Sequence, residues 1–143
     1  MIYLSILIFL AYIIPVLIKY GIPTSLSETY YTPFGKLGFS AEMILLGLSI
    51  MPSMLDIYDS PLSFFACVFV CFVGAAPYSD KIIHFVFAIG ACILSQIVIA
   101  ICYPQLLLFW ILALLLILCL KKYWLLIMEI FCIILIFILG ILL

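Results

Sequence analysis

The sequence predicts an all-α, polytopic integral membrane protein: a six-transmembrane-helix up-and-down bundle forming one domain over residues 1–143. Three observations predict it. The chain is 71% hydrophobic and only 8% charged, whereas a soluble domain is about half apolar and about a quarter charged. Its apolar residues fall into six long runs separated by helix breakers. Its lysines all fall on one side of the bundle that those runs imply. With 143 residues, five Lys, no Arg and a net charge of −1, the chain has no basic footprint for nucleic acid. Disorder, a coiled coil and a disulfide-stapled secreted domain are excluded by the same composition.

The first span is 2–18. It lacks the basic flank and small-residue cleavage site of a signal peptide, so a retained helix is expected. Gly21 and Pro23 follow it. The second span, 37–55, ends before Asp56-Ile57-Tyr58-Asp59-Ser60-Pro61. The third, 62–77, ends at Pro77-Tyr78-Ser79-Asp80. The fourth, 82–103, is separated by Pro104 from the fifth, 105–120. Lys121-Lys122 leads into the sixth, 123–143, and so short a turn requires the last two helices to be antiparallel neighbours. Pro15 and Pro52 lie inside helices and are expected to kink them or mark their ends. The third and fifth spans hold 16 residues each, about 24 Å against a hydrocarbon core of about 30 Å. Local thinning absorbs such a mismatch, and a re-entrant segment is the alternative.

Lysine placement tests the count. Lys19, Lys36, Lys81, Lys121 and Lys122 all fall in loops 1–2, 3–4 and 5–6. Orientation follows Lys and Arg, so these loops are expected in the cytoplasm, with both termini outside a cell membrane. Losing either short span would break this segregation.

The long loop 20–36 carries Ser25 and Glu28 in an S-x-x-E spacing, a capping box that would start a short helix, with Pro33 stopping it. Tyr30, Tyr31 and Phe34 suit a membrane interface. Two readings apply: an interfacial turn, or a lid over the cytoplasmic mouth. The stretch Pro23–Tyr31 and the segment Phe72–Pro77, followed by His84, read as motifs rather than filler.

Stripes of small and polar residues predict the inward faces, since helices in lipid associate through close backbone approach and interhelical hydrogen bonds. They are Ser5, Tyr12 and Lys19; Glu42, Ser49 and Ser53; Ser63, Cys67, Cys71 and Gly74; His84, Ala88, Ala91, Cys92 and Ser95, beside Gln96; and Glu129, Cys132, Ile136 and Gly140. Gly74, Ala88, Ala91 and Ser95 form the expected packing stripe. It places the third and fourth helices near the bundle centre, and the Leu/Ile-rich fifth, with Trp110, against lipid. The six cysteines, at 67, 71, 92, 102, 119 and 132, lie in apolar runs without a CxxC and are expected to pack as thiols.

Ionisable groups at membrane depth are functional hypotheses by default. Glu42 lies about 9 Å in from Lys36, His84 about 5 Å in from Lys81 and Glu129 about 10 Å in from Lys122, at the helical rise. Tyr12 sits at similar depth. Two carboxylates, an imidazole and a phenol thus share one layer.

The favoured expectation is a transporter- or channel-like protein with a proton, cation or substrate site built from Glu42, His84, Glu129 and Tyr12. A homo-oligomer is expected if it conducts, because so small a bundle encloses little volume. The alternatives are an intramembrane enzyme acting on a lipid, with loop 20–36 closing over the same site, and a non-catalytic assembly protein whose polar groups only fix packing. Two carboxylates and a His are acceptable zinc ligands, but no His-x-x-x-His or His-x-x-Glu pattern supports a metal, and no metal or other cofactor is expected. Gly-x-Ser-x-Gly, phosphate-binding and dinucleotide-binding patterns are missing. A single His leaves little room for a Ser-His-Asp triad. Asp56 and Asp59 read as solvated loop residues, and the bilayer is the only partner the composition implies.

Overall fold

The computed structural model describes residues 1–32, 35–76 and 81–143. The expected roles of Pro33, Phe34 and Pro77–Asp80 fall outside the described residues. The described chain forms six α-helices: α1 (Ile2–Tyr20), α2 (Gly35–Ile57), α3 (Pro61–Ala75), α4 (Lys81–Cys102), α5 (Phe109–Cys119) and α6 (Trp124–Leu142). Short 3₁₀ turns occupy Ser27–Tyr31, Pro104–Leu108 and Lys121–Tyr123. The all-helical class follows from the apolar runs. A helix closes its backbone hydrogen bonds within one segment, which suits runs this apolar.

Four helical segments are long and apolar enough to cross a membrane: Ile2–Tyr20, Gly35–Ile57, Lys81–Cys102 and Lys121–Leu142. Pro61–Ala75 and Pro104–Cys119 are apolar but shorter. Large apolar side chains face outward along the chain, among them Leu7, Leu48, Phe65, Ile93, Leu115 and Ile141. A soluble monomer rarely exposes contiguous apolar surface on this scale.

The ends obey local chemistry. Gly21 closes α1 at φ 78°, in the region where a Cβ is penalised, and its N–H donates to Leu17 O. Ser60 caps α3, with Pro61 at the first helical position and the Ser63 N–H donating to Ser60 Oγ at 3.3 Å. Pro104 breaks the chain between α4 and α5 as expected. Pro15 and Pro52 do not end their helices: α1 and α2 run through them, which leaves a kink as the expected effect.

Side-chain pairings show successive helices running antiparallel. Tyr12 lies near Glu42 across α1–α2, Gly74 meets Ser40 and Met43 across α2–α3, and Phe72 stacks on Phe87 across α3–α4 at 4.7 Å. Trp110 donates to Gln96 Oε1 at 2.9 Å across α4–α5 and lies 6.2 Å from the Phe131 ring across α5–α6. The chain closes on itself through α1 and α6, where Phe9 meets Phe137 edge-on. The α2–α3 seam is the tightest. A Cβ on Gly47 would stand 2.8 Å from Cys67 O, and one on Gly74 would stand 2.7 Å from Ser40 O. The small-residue stripe therefore does bring backbones together.

The centre of the bundle is α2, not the α3–α4 pair the stripe suggested. Half of the apolar window of α2 is buried, against 22% for α4. Reaching α1, α3, α6 and the 3₁₀ turn at Ser27–Tyr31 covers α2 on several sides. Within α5 only Ala113 is buried, so that helix lies at the periphery as its composition implied.

Candidate functional site

Part of the segment after α1 does not stay on the surface: Ser25, Leu26, Ser27 and Thr29 are buried. Its 3₁₀ turn enters the lysine-bearing end of the bundle, and Ser27 and Thr29 become buried. Three local devices hold it there. The Glu28 N–H donates to Ser25 Oγ at 3.1 Å, half of the expected capping box. The other half is displaced by one residue: the Glu28 carboxylate accepts from the N–H and hydroxyl of Thr24 rather than from Ser25. Those Thr24 bonds, with Lys122 nearby, pull the Glu28 carboxyl below the usual carboxylate range. The loop is also bonded to α6. The Leu126 N–H, in the first turn of α6 where no helical acceptor exists, donates to Thr24 O at 3.2 Å. In return the Leu26 N–H donates to Glu129 Oε2 at 2.6 Å.

This docking divides the expected polar layer into two clusters. In the first, Ser27 Oγ lies 2.8 Å from His84 Nε2 and 3.4 Å from Glu129 Oε1. His84 is 3% exposed and Ser27 8%. A hydroxyl has one proton and two acceptor lone pairs. Either Ser27 donates to the imidazole, or the imidazole donates to Ser27 and the hydroxyl passes its proton toward Glu129. Phe39 packs against the imidazole, with ring centroids 6.2 Å apart. In the second cluster, Tyr12 Oη and Thr29 Oγ1 share a hydrogen bond of 2.6 Å, and Thr29 Oγ1 also donates to Leu26 O. Glu42 lies close enough to act on Tyr12 electrostatically. It is 5% exposed, and its Oε1 has no hydrogen-bond partner among the described residues.

The four residues expected in one layer are thus brought into pairs, His84 with Glu129 through Ser27, and Tyr12 with Glu42. Neither carboxylate is held by a snorkelling lysine among the described contacts. His84 is buried inside the bundle. Among the described residues no group of three His, Cys, Asp or Glu is placed to hold a metal ion. All six cysteines are free thiols, with Cys92 and Cys132 against each other on α4 and α6. Asp56 and Asp59 are exposed, as solvated loop residues should be.

Beside the first cluster runs a chamber of about 90 Å³ between α2, α3, α4 and α6. Ser27 and Glu129 line one end of it. The packing residues Ala88, Ala91 and Ser95 line its α4 wall, while Gly74 lies instead in the α2–α3 seam. Ser95 spends its hydroxyl on Cys92 O at 2.9 Å. Most of the remaining wall is aliphatic or thiol.

Ser27 is the residue that sequence reasoning missed. Ser25 and Glu28 drew attention as a cap, and they do shape the turn. The available signal was the alternation Ser25, Ser27, Thr29 in a loop between two membrane-length helices, which offers more hydroxyls than one cap uses. Comparison with known proteins adds nothing further: no family, no curated protein and no solved structure matches the chain.

Proposed function

We propose that this chain is a polytopic enzyme of the cell membrane that cleaves or transfers the acyl group of a lipid ester or amide, with Ser27 as nucleophile and His84 as its base. In this reading all six helices cross the bilayer, the lysine-bearing loops face the cytoplasm and both termini face outside. The observation that carries it is the 2.8 Å contact between Ser27 Oγ and His84 Nε2 at the end of an apolar chamber. A serine becomes a useful nucleophile when a base within hydrogen-bond reach takes its proton. The chamber favours a lipid over an ion, because its walls offer few donors or acceptors to replace a hydration shell.

The step is ordinary acyl transfer. Ser27 Oγ bonds to the carbonyl carbon while its proton passes to His84 Nε2. The bond from that carbon to the leaving oxygen or nitrogen breaks, and the imidazolium returns the proton to the leaving group. Water or a second alcohol then removes the acyl group by the reverse route. Glu129 is a positioning residue: it holds the Leu26 N–H and so fixes the turn that presents Ser27.

The test is labelling of the purified protein by a fluorophosphonate, with hydrolysis of short acyl esters measured in parallel. Wild type should be labelled at Ser27. His84→Ala should lose both labelling and turnover while eluting as a folded species. A protein that neither labels nor cleaves any ester or amide offered sinks the reading.

One observation favours the titratable transport site as a second reading. Glu42 is a buried carboxyl whose Oε1 lacks a hydrogen-bond partner among the described residues, and such groups mark proton and ion paths in membranes. Flux in proteoliposomes under a pH gradient separates the two. Transport requires that Glu42→Gln abolish flux in a folded protein, and the enzyme reading predicts no flux to lose.

A further inference from the structure

A second pocket, of about 310 Å³, borders Thr29 instead of Ser27 and shares no lining residue with the chamber. Three stretches of chain build it at the lysine-bearing end: the last turns of α1 with Gly21, the turn around Thr29, and Lys122 ahead of α6. A cavity of about 150 Å³ holds one benzene ring, so this pocket has room for a small polar group.

Its walls are of two kinds. Val16, Ile22 and Pro23 are apolar, whereas Glu28 and Lys122 carry opposite charges. The threonine hydroxyls around them are already spent. Thr24 Oγ1 donates to Glu28 Oε2 at 2.7 Å, Thr29 Oγ1 to Leu26 O at 2.6 Å and Thr32 Oγ1 to Thr29 O at 2.8 Å. The two charges are not spent on each other. Lys122 is near enough to act on the Glu28 carboxyl, yet no ion pair joins them among the described residues. Both Thr24 bonds land on Glu28 Oε2. A carboxylate offers about four lone-pair sites, so acceptor capacity is left for another donor. The Lys122 ammonium lies over the Tyr123 ring at 5.3 Å and keeps its N–H donors for an anion.

A ligand matched to these walls is a zwitterion. A lone anion would meet Lys122 and be repelled by Glu28, and an uncharged headgroup would find the threonine hydroxyls already donating. A primary ammonium suits the carboxylate, because it donates N–H bonds. A quaternary ammonium is recognised instead by open aromatic faces. Here the Tyr20 ring already carries Lys19 Nζ at 5.5 Å, and Tyr31 packs edge-on against Tyr30. The apolar wall gives a place for the glycerol end of a lipid, and tyrosines are favoured at the headgroup level.

We propose that this pocket holds the phosphoethanolamine group of a phospholipid, with the phosphate on Lys122 and the ammonium on Glu28. A lipid gripping both charges ties the turn around Thr29 to the start of α6. The site is independent of acyl transfer at Ser27 and needs only that this end of the bundle lie at the bilayer surface.

The test is native mass spectrometry of the full-length protein in detergent. It is titrated with dihexanoyl phosphatidylethanolamine, phosphatidylcholine and phosphatidylglycerol, and with free phosphoethanolamine. Wild type should hold phosphatidylethanolamine several-fold more tightly than the other two lipids. Lys122→Ala should weaken that binding about fivefold, the upper scale of an exposed charge pair. Glu28→Gln keeps an oxygen for the Thr24 N–H and removes the charge that repels anions. It should lose the ethanolamine preference and bind phosphatidylglycerol more tightly than wild type does, a gain that a badly folded variant does not show. Free phosphoethanolamine binding as tightly as the lipid supports the zwitterion site and overturns its lipid source. No binding, equal binding of the three lipids, a preference for choline or glycerol headgroups, or a preference that neither variant moves overturns the site. Each of these outcomes leaves labelling and turnover at Ser27 to be decided separately.

Discussion

The 3₁₀ turn at Ser27–Tyr31 inserts two hydroxyls, two residues apart, into two different surroundings. Ser27 meets an imidazole and a carboxylate from α4 and α6 and borders a chamber. Thr29 meets a phenol from α1, bonds its own backbone and lines a pocket of about 310 Å³ with Thr24, Glu28 and Lys122, with Glu42 nearby. Both hydroxyls are buried and both border a pocket, yet only Ser27 meets an imidazole. Buried polar groups therefore do not declare their role by depth or type. The identity of the hydrogen-bond partner separates the two.

The comparison breaks most sharply at His84. Removing a positioned base typically costs about 10²–10⁴ in rate, so His84→Ala should reduce ester turnover by about that factor, read in a stopped assay at fixed protein. Tyr12→Phe at the other site should leave turnover within a few-fold of wild type. Equal losses from both variants would erase the distinction between the sites.

Glu129 sharpens the contrast between positioning and chemistry. Glu129→Ala leaves the buried Leu26 N–H without its acceptor, a cost of about 1–3 kcal/mol. Loss of turnover is expected together with faster proteolysis of loop 20–36. Glu129→Gln keeps an amide oxygen for that N–H and should restore most of the protease resistance. A Gln variant as easily cleaved as Ala would remove the positioning role.

On the Thr29 side, Tyr12→Phe deletes one hydrogen bond, which is worth about 1 kcal/mol. Thermal unfolding in detergent should fall by a few degrees, with fluorophosphonate labelling retained.

The smallest effect comes from Glu28, which lies on the exposed side of the turn. Its carboxyl is held below the usual value of about 4.3 by Thr24 and Lys122. A depressed carboxylate contributes stability that is complete above the unfolded value and lost as pH falls through the folded one. Protection of loop 20–36 from proteolysis should hold near neutral pH and decline only in strong acid. Glu28→Gln should flatten that decline. The group is largely exposed, so screening keeps the effect small.

Much of the architecture was legible because it depends on local rules. Each apolar run became a helix or a helix with a 3₁₀ lead-in, and the breakers at Gly21, Ser60-Pro61 and Pro104 fell where chain geometry demands. The inward stripes on α1, α2, α4 and α6 were legible too, since helical periodicity fixes which residues share a face. Ser5, Tyr12, Glu42, Ser49, His84, Ser95 and Cys132 are buried, whereas Lys19 is exposed and Ser53, Ala88, Cys92 and Gly140 are half-buried. The prominence of α2 was less legible, because which helix is covered on most sides depends on how all the others pack.

The pairing of Ser27 with His84 and Glu129 was not legible. These contacts join residues 57 and 102 positions apart. They require the loop to turn inward, α4 and α6 to run parallel, and both to rotate so that His84 and Glu129 face the same gap. By itself the sequence determined the helical class, the apolar exterior, the lysine-bearing end and the stripes, because hydrophobicity, periodicity and backbone satisfaction act over a few residues. Only the tertiary structure decided that Ser27 meets an imidazole beside an aliphatic chamber while Thr29 meets a phenol beside a more polar one. That choice is a sum of distant packing contacts, and no short stretch of chain encodes it.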